Sequence, residues 1–215
     1  MNLTHPITSV FPGAHGPVLA VLARTYEPMS GRRISALTNG RVGSSRTHQV
    51  LAELTEAGVV LCEHRPPAKL YRLNREHVAA DGILALTGLW GALLENIRTE
   101  LQSWRIAPRS AVLFGSAARG DAGPGSDIDI LLVLDDVQTS EGSAHAELWL
   151  EQTTHLVDRV RAWSGNECEI LELTVAELHD AVIRDDRLVR DLSTDGTTLV
   201  GEQISTLLQK KRSVR

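Results

Sequence analysis

The chain has 215 residues, a net charge of −5 and an apolar fraction of 42%, which suits one domain or two modest domains with buried cores. No apolar run reaches the ~18 residues of a membrane span. The N-terminus has no basic start followed by an apolar stretch, so the expectation is a cytoplasmic protein. Residues 1–81 carry a net charge of +3 and the remainder −8, so nucleic-acid contact is expected in the first part.

The first 81 residues predict three helices followed by a two-stranded hairpin. Apolar spacing, capping residues and turn residues place the helices and strands. The predicted elements are a helix from Pro17 to Arg24, a helix from Ser30 to Leu37 capped by Ser30, a helix capped by Ser44-Ser45 and ended by Gly58, and strands at Val59 to Glu63 and Lys69 to Leu73.

This order of elements resembles the winged helix-turn-helix, in which the start of the third helix enters the major groove of DNA. In such a domain an arginine can pair with guanine, a glutamine with adenine, and the basic side chains of the wing with phosphates. The resemblance implies DNA contacts by Ser45, Arg46, Thr47, His48, Gln49, Arg65 and Lys69. The alternative is that the same module mediates protein contact or dimerisation.

Residues 82–106 predict one amphipathic connecting helix. Apolar residues recur at steps of three and four from Ile83 to Trp104, and no flexible Gly/Ser linker interrupts them. We expect this apolar stripe to be buried within the chain, and the alternative is the seam of a homodimer.

The most informative run follows at residues 111–134. An apolar strand from Ala111 to Phe114 ends at Gly115-Ser116, where a helix start would direct backbone N–H groups at an anion. Asp127 and Asp129 are two residues apart in the next strand, so their carboxylates share a face. Two anions so close repel unless a cation lies between them, and hard oxygen ligands suit Mg²⁺ that also holds phosphates.

The run resembles the nucleotidyltransferase superfamily typified by DNA polymerase beta, most closely its minimal members. The matching residues are Gly115-Ser116, Arg119-Gly120, Ser126 and the Asp127-Ile128-Asp129 triplet. The resemblance implies an α/β (α+β) domain with a mixed sheet over residues 107–215, two Mg²⁺ ions and a nucleoside triphosphate bound by Gly115, Ser116, Arg119 and Ser126. Arg119 either contacts phosphate or braces the loop through Asp121, and both alternatives stay open.

The family also needs a third carboxylate on a neighbouring strand. The candidates are Glu167, Glu169 and Glu172. If residues 167–173 form a strand, matching its apolar face to that of the Asp127–Asp129 strand selects Glu169. Glu167 is the second choice, and Glu172 is excluded because it lies on the other face.

The remaining sequence predicts helices and one short strand. These are a crossover helix around Trp149 to Trp163, helices from Ala176 to Ile183 and from Arg187 to Leu192, a strand from Thr197 to Val200, and a last helix from Glu202 to Lys211. The basic run Lys210-Lys211-Arg212 is expected to complement the dipole of that helix. Cys62 and Cys168 lack metal-ligand spacing and are expected to be small core residues.

Taken with the resemblance, the catalytic half implies transfer of a nucleoside monophosphate to a hydroxyl group, with release of pyrophosphate. It is too short for the extra substrate domain of aminoglycoside-modifying relatives, which favours a protein or RNA acceptor over a small molecule. The alternative is a transcriptional regulator or antitoxin-like repressor whose nucleotide site only senses its ligand or is inactive.

Overall fold

The computed structural model describes residues 1–135 and 144–209. Contacts divide the chain into two units, one of Thr4–Trp90 with Asn2 and one of Gly91–Arg215 with Met1 and Leu3. Among the described residues, no helix is both long enough and apolar enough to cross a membrane. The predicted basic run at residues 210–212 lies outside the described residues.

The first unit has a small antiparallel sheet beside its helices. Its elements are α1 (His15–Ala23), β1 (Met29–Ser30), α2 (Gly31–Leu37), α3 (Ser44–Glu56), β2 (Val60–Arg65), β3 (Ala68–Leu73) and α4 (Ala80–Thr87). The strand order is β1-β3-β2, and Arg65 pairs with Ala68 where the hairpin turns. The apolar sides of α1 and α3 bury Val18, Leu22 and Leu51 in one core.

The ends of α2 and α3 test the predicted caps. Ser30 caps α2 as predicted, because its Oγ accepts the backbone N–H of Arg33 at 3.3 Å. The predicted cap at Ser44-Ser45 is wrong: the carbonyl of Gly43 already accepts the N–H of Thr47, so Gly43 takes the cap position and α3 begins at Ser44. Gly58 ends α3 as predicted, with a φ of +73° that favours glycine.

The single helix predicted from Ile83 to Trp104 is wrong. The structure has two helices, α4 and α5 (Leu89–Gln102), separated at Gly88. The N–H of Gly88 donates to the carbonyl oxygens of both Leu84 and Ala85, which tightens and ends the first helix. Glycine costs about 1 kcal/mol relative to alanine inside a helix, which favours a helix end at Gly88, whereas Gly91 is accommodated inside α5.

The second unit is built around a four-stranded mixed sheet. Its remaining elements are β4 (Ser110–Phe114), α6 (Gly115–Arg119), β5 (Ile128–Leu134), α7 (Ala144–Ser164), β6 (Cys168–Thr174), α8 (Val175–Ile183), α9 (Arg187–Asp195), β7 (Thr197–Gly201) and α10 (Ile204–Gln209). The strand order is β6-β5-β4-β7. Only β5 and β6 run parallel, and α7 lies between them in the chain as such a crossover requires. The structure confirms the predicted α/β class with a mixed sheet.

Strand β5 is the centre of this unit. Ile130, Leu131, Leu132 and Val133 are fully buried, so both faces of the strand are covered. Strands buried on both faces read as nearly continuous apolar runs. Asp129 is the one polar residue in β5, and this position therefore calls for a chemical explanation.

Candidate functional site

The strand-to-helix turn after β4 lies directly against Asp129. Phe114, the last residue of β4, is the register partner of Asp129 in β5. The next residue, Gly115, has a φ of +69° and approaches the carboxylate so closely that a Cβ atom would overlap Asp129 Oδ2. Only glycine fits both the backbone angle and this approach. The Gly115-Ser116 turn therefore lies directly against the carboxylate of Asp129.

Strand β6 brings a second carboxylate to the same place. In the parallel ladder Asp129 is the register partner of Glu169, so the two residues lie side by side. Glu172 lies on the opposite face, where its Oε1 accepts a hydrogen bond from Trp149 Nε1 at 3.0 Å. Glu167 precedes the strand and pairs with Arg161 at 3.2 Å. The ladder thus places the predicted residue Glu169, and neither of the alternatives, next to Asp129.

The charges around Asp129 favour a cation. Burial raises the pKa of Asp129, and the negative charges of Glu169 and Asp127 raise it further, whereas Arg119 acts in the opposite direction. Asp127 itself is exposed and lies just before β5. The carboxylates therefore interact unfavourably when ionised, and a positive ion between them would relieve this repulsion.

Arg119 is held by two acidic side chains. Its Nε lies 3.4 Å from Asp121 Oδ2, and its Nη1 lies 3.8 Å from Asp195 Oδ2 at the end of α9. The contact with Asp121 matches the bracing role that the sequence left open. Sequence reasoning missed Asp195, because its approach to Arg119 depends on how α9 packs.

Two further residues shape the loop that leads into β5. The Oγ of Ser126 accepts the backbone N–H of Gly123 at 2.9 Å, so in this structure the hydroxyl closes the loop. The buried Asn166 donates from Nδ2 to the carbonyl oxygen of Ser126 at 2.9 Å. Asn166 was not predicted, because its partner is 40 residues away in the chain. It fixes the backbone that carries Asp127.

The donor chemistry of this site fits a hard divalent cation. Asp127, Asp129 and Glu169 offer only carboxylate oxygens, the ligand type that suits Mg²⁺. Within residues 1–135 and 144–209, however, no group of three or more His, Cys, Asp or Glu side chains is gathered closely enough to hold a metal ion. The donor types and the Asp129–Glu169 register fit the ion, whereas the three side chains are not gathered around a common point.

The part of the chain that contains this site matches a known protein family. The family described as "Nucleotidyltransferase domain" matches residues 94–188, a range that contains Gly115, Asp129 and Glu169. This part of the chain is similar to the nucleotidyltransferase domain family. No curated protein gives a significant match to the chain.

A search of solved structures finds two that are similar to parts of this chain. A toxin–antitoxin structure with AMP-PNP is 20% identical, with 56% of this chain and 84% of that chain covered and a TM-score of 0.38. TrmBL2, an archaeal chromatin protein whose structure shows a novel mode of DNA binding, is 15% identical, with 85% of this chain and 72% of that chain covered and a TM-score of 0.27.

The predicted DNA-contact residues of the first unit differ in exposure. Ser45, Arg46, His48 and Gln49 are exposed on α3. Thr47 is fully buried, and its Oγ1 donates to the carbonyl oxygen of Gly43, so its prediction as a DNA contact is wrong. It lies on the same helix face as the core residues of α3, and a side chain there cannot reach a groove.

Several of the exposed candidates are already paired with acidic side chains. Arg46 lies 3.4 Å from Glu53, and Arg65 of the hairpin lies 2.9 Å from Glu63. Exposed pairs of this kind are typically worth only about 0–1 kcal/mol, so an incoming phosphate can displace them. Lys69 is exposed at the other side of the hairpin turn.

Proposed function

We propose that the second unit transfers a nucleoside monophosphate from a nucleoside triphosphate to a hydroxyl group of a protein or RNA. The observation that carries this proposal is the register pairing of Asp129 with Glu169 beside the Gly115-Ser116 turn. A partly buried acidic residue near the start of an otherwise apolar strand is costly, and a role in holding a cation explains its presence.

Asp127, Asp129 and Glu169 would hold the two Mg²⁺ ions that we propose for this site. Bound there, Mg²⁺ lowers the pKa of an acceptor hydroxyl and stabilises charge on the entering and leaving oxygens. Two of these carboxylates are held in place by their neighbours. Asp129 is held by its strand and by contact with Gly115, and Asp127 lies on the loop whose backbone Asn166 binds.

The triphosphate would lie on the turn after β4. Backbone N–H groups of Gly115 and Ser116 at the start of α6 would bind its phosphates, and Arg119 could exchange Asp121 or Asp195 for a phosphate oxygen. Ser126 would contribute its hydroxyl from the loop opposite. The ion pair between Arg119 and Asp121 is exposed and therefore weak, and a guanidinium can form two parallel hydrogen bonds with a phosphate, so the exchange is feasible.

We also propose that residues 1–81 form a winged helix-turn-helix module that binds duplex DNA. The order of one helix, a short strand, two helices and a hairpin supports this, as do the exposed Arg46, His48 and Gln49 at the start of α3. In this second function α3 would enter the major groove, while Arg65 and Lys69 would contact phosphates. In the alternative, the chain is a regulator that senses nucleotide through its second unit. It would then bind DNA through this module without transferring nucleotide.

Labelled nucleotides test the enzymatic proposal. The purified chain is incubated with each α-labelled nucleoside triphosphate, Mg²⁺ and cell lysate, and label is sought on protein and on RNA. We expect Mg²⁺-dependent labelling that disappears in Asp129→Asn and persists in Glu172→Gln, whose amide can still accept the hydrogen bond of Trp149. Equal labelling by wild type and Asp129→Asn would overturn the assignment of the site.

Gel shifts with the protein's own upstream region and with random duplexes test the DNA proposal. Arg46→Ala should weaken binding by about 1–3 kcal/mol and relax sequence preference if Arg46 reads a guanine. Absence of salt-sensitive binding to every duplex would leave the first unit as a protein-contact module.

A further inference from the structure

A cavity of about 590 Å³ lies in the first unit between the start of α2, the start of α3 and the turn of the β2–β3 hairpin. We call it the hairpin cavity. The side chains of Arg32, His48, Lys69 and Tyr71 line it, and Gly31 forms part of its wall. Its volume is within the roughly 300–1,000 Å³ range of small-molecule sites.

The lining of the hairpin cavity is cationic. Arg32 and Lys69 are positive at neutral pH, and no residue that lines the cavity is acidic. Among residues 1–135 and 144–209, neither Arg32 nor Lys69 forms an ion pair, whereas Arg46 and Arg65 pair with glutamates. Uncompensated positive charges around one concave surface attract an anion and repel one another without it.

The ring of His48 packs tightly in the wall of the cavity beside Arg32. Nδ1 of His48 lies 2.7 Å from the carbonyl oxygen of Ser44, and since a carbonyl only accepts, this nitrogen carries the proton. The other side of the ring packs on Gly31, where a Cβ atom would lie 2.7 Å from Nε2. The imidazole is thus held between α2 and its own helix.

We infer that the hairpin cavity binds the phosphate group of a nucleotide unit. A guanidinium matches phosphate oxygens with two parallel hydrogen bonds, and a lysine adds a compact charge. The nucleotide unit comes either from the backbone of duplex DNA or from a free nucleotide. The inference rests on the proposed DNA binding only where duplex DNA is the source, and it adds Arg32 to the residues that recognise the ligand.

Charge-neutralising variants of the full chain test this inference. Arg32→Gln and Lys69→Gln each remove one charge from the hairpin cavity. Arg33→Gln is the matched control, because Arg33 is the next residue of α2, is exposed and does not line the cavity. Binding of a labelled duplex is measured across salt concentrations, and binding of AMP is measured by calorimetry in EDTA. All variants are first checked for wild-type melting temperatures.

Two results support the inference. If the phosphate belongs to DNA, Arg32→Gln and Lys69→Gln each reduce the slope of log affinity against log salt by about one, whereas Arg33→Gln does not. If it belongs to a free nucleotide, the same two variants abolish AMP binding, and Arg32→Gln leaves duplex binding unchanged. In that second case the inference holds even when no duplex binds at all.

The inference is overturned when Arg32→Gln and Lys69→Gln bind both ligands as Arg33→Gln does. If duplex binding is then intact and salt-sensitive, the proposed DNA function stands without its Lys69 phosphate contact, and the hairpin cavity loses its role. Binding of neither duplex nor AMP by the wild-type chain overturns the inference together with the DNA proposal.

Discussion

Asp129 and Glu169 are register partners in the parallel ladder between β5 and β6. The strands fix the backbone positions of the two residues, so their pairing does not depend on a loop. Helix α7 is the crossover that lets β5 and β6 run parallel, and the buried residues of β5 hold that strand in the sheet. The arrangement therefore exists before any ligand binds, and removal of either charge should have a measurable effect.

Glu→Gln substitutions at the three glutamates of this region distinguish their roles. Glu169→Gln should reduce nucleotide transfer by at least about 100-fold, in the range found when one electrostatic stabiliser of a transition state is removed. Glu167→Gln and Glu172→Gln should keep near wild-type rates, because these residues contact Arg161 and Trp149 instead. Rates are measured with labelled nucleotide at saturating Mg²⁺. Inactivity of Glu172→Gln alone would mean that the face assignment is wrong.

Asp129→Asn should raise the melting temperature at neutral pH. Burial, Glu169 and Asp127 raise the pKa of Asp129, so its ionised form is less stable in the folded protein than in the unfolded chain. The ionised carboxylate thus lowers the free energy of unfolding at neutral pH, and this penalty vanishes as the pH falls through the pKa of Asp129 in the folded state.

Calorimetric melts of both proteins over a pH series provide the measurement. The advantage of Asp129→Asn is expected to shrink steadily towards acid pH. In the same experiment Mg²⁺ should stabilise wild type, by about 2.7 kcal/mol at a concentration 100 times its Kd, and have less effect on the variant. A variant that melts below wild type at every pH contradicts the electrostatic interpretation of this position.

Gly115→Ala should damage both stability and transfer. An alanine at a φ of +69° is strained, and its Cβ would displace the carboxylate of Asp129. The expected loss of stability exceeds about 1 kcal/mol, since the native backbone angle does not suit an L side chain. Gly123→Ala is the control: it lies in the same part of the chain, and a Cβ there would contact nothing within 4 Å. Equal effects of the two substitutions would show that Gly115 has no special role.

The two cysteines should react at very different rates with iodoacetamide. Cys62 is exposed, which corrects the expectation that it is a core residue, whereas Cys168 is buried as expected. Burial first, and then Asp129 and Glu169, raise the pKa of Cys168 to about 12. Since the thiolate is the reactive form, its population at mildly alkaline pH is very small.

Intact-mass measurement should therefore find one adduct per native chain and two after unfolding. A Cys62→Ser variant should give none in the native state. Rapid labelling of both cysteines in the native chain would show that β6 opens far more readily than its contacts indicate.

The sequence could predict the site through the alternation of side chains along strands. Parity excludes Glu172, and matching the apolar faces of the two strands favours Glu169 with Glu167 as the second choice; neither step needs knowledge of packing. Residues whose partners are distant in the chain could not be found in this way. Asp195 and Asn166 reach the site through the packing of other elements, and nothing in their local sequence marks them.

Some corrections could have been anticipated from local patterns. Thr47 is spaced three and four residues from Val50 and Leu51, which places it on the buried side of α3. Gly88 lies within the predicted helix, and a helix break at glycine is an ordinary outcome. The isolated cation Arg32 could not have been anticipated, because pairing of charges depends on the folded chain.

Two tryptophans on the face of the sheet opposite Asp129 form a pair that can be observed by spectroscopy. Trp104 and Trp149 meet edge to face, with ring centroids 5.4 Å apart, and Trp149 is also tied to Glu172 on the strand that carries Glu169. Coupled indole rings give strong near-ultraviolet circular dichroism, and the signal changes with their mutual angle. A shift of β6 on ligand binding can therefore be followed by light absorption, without attaching a label to the protein.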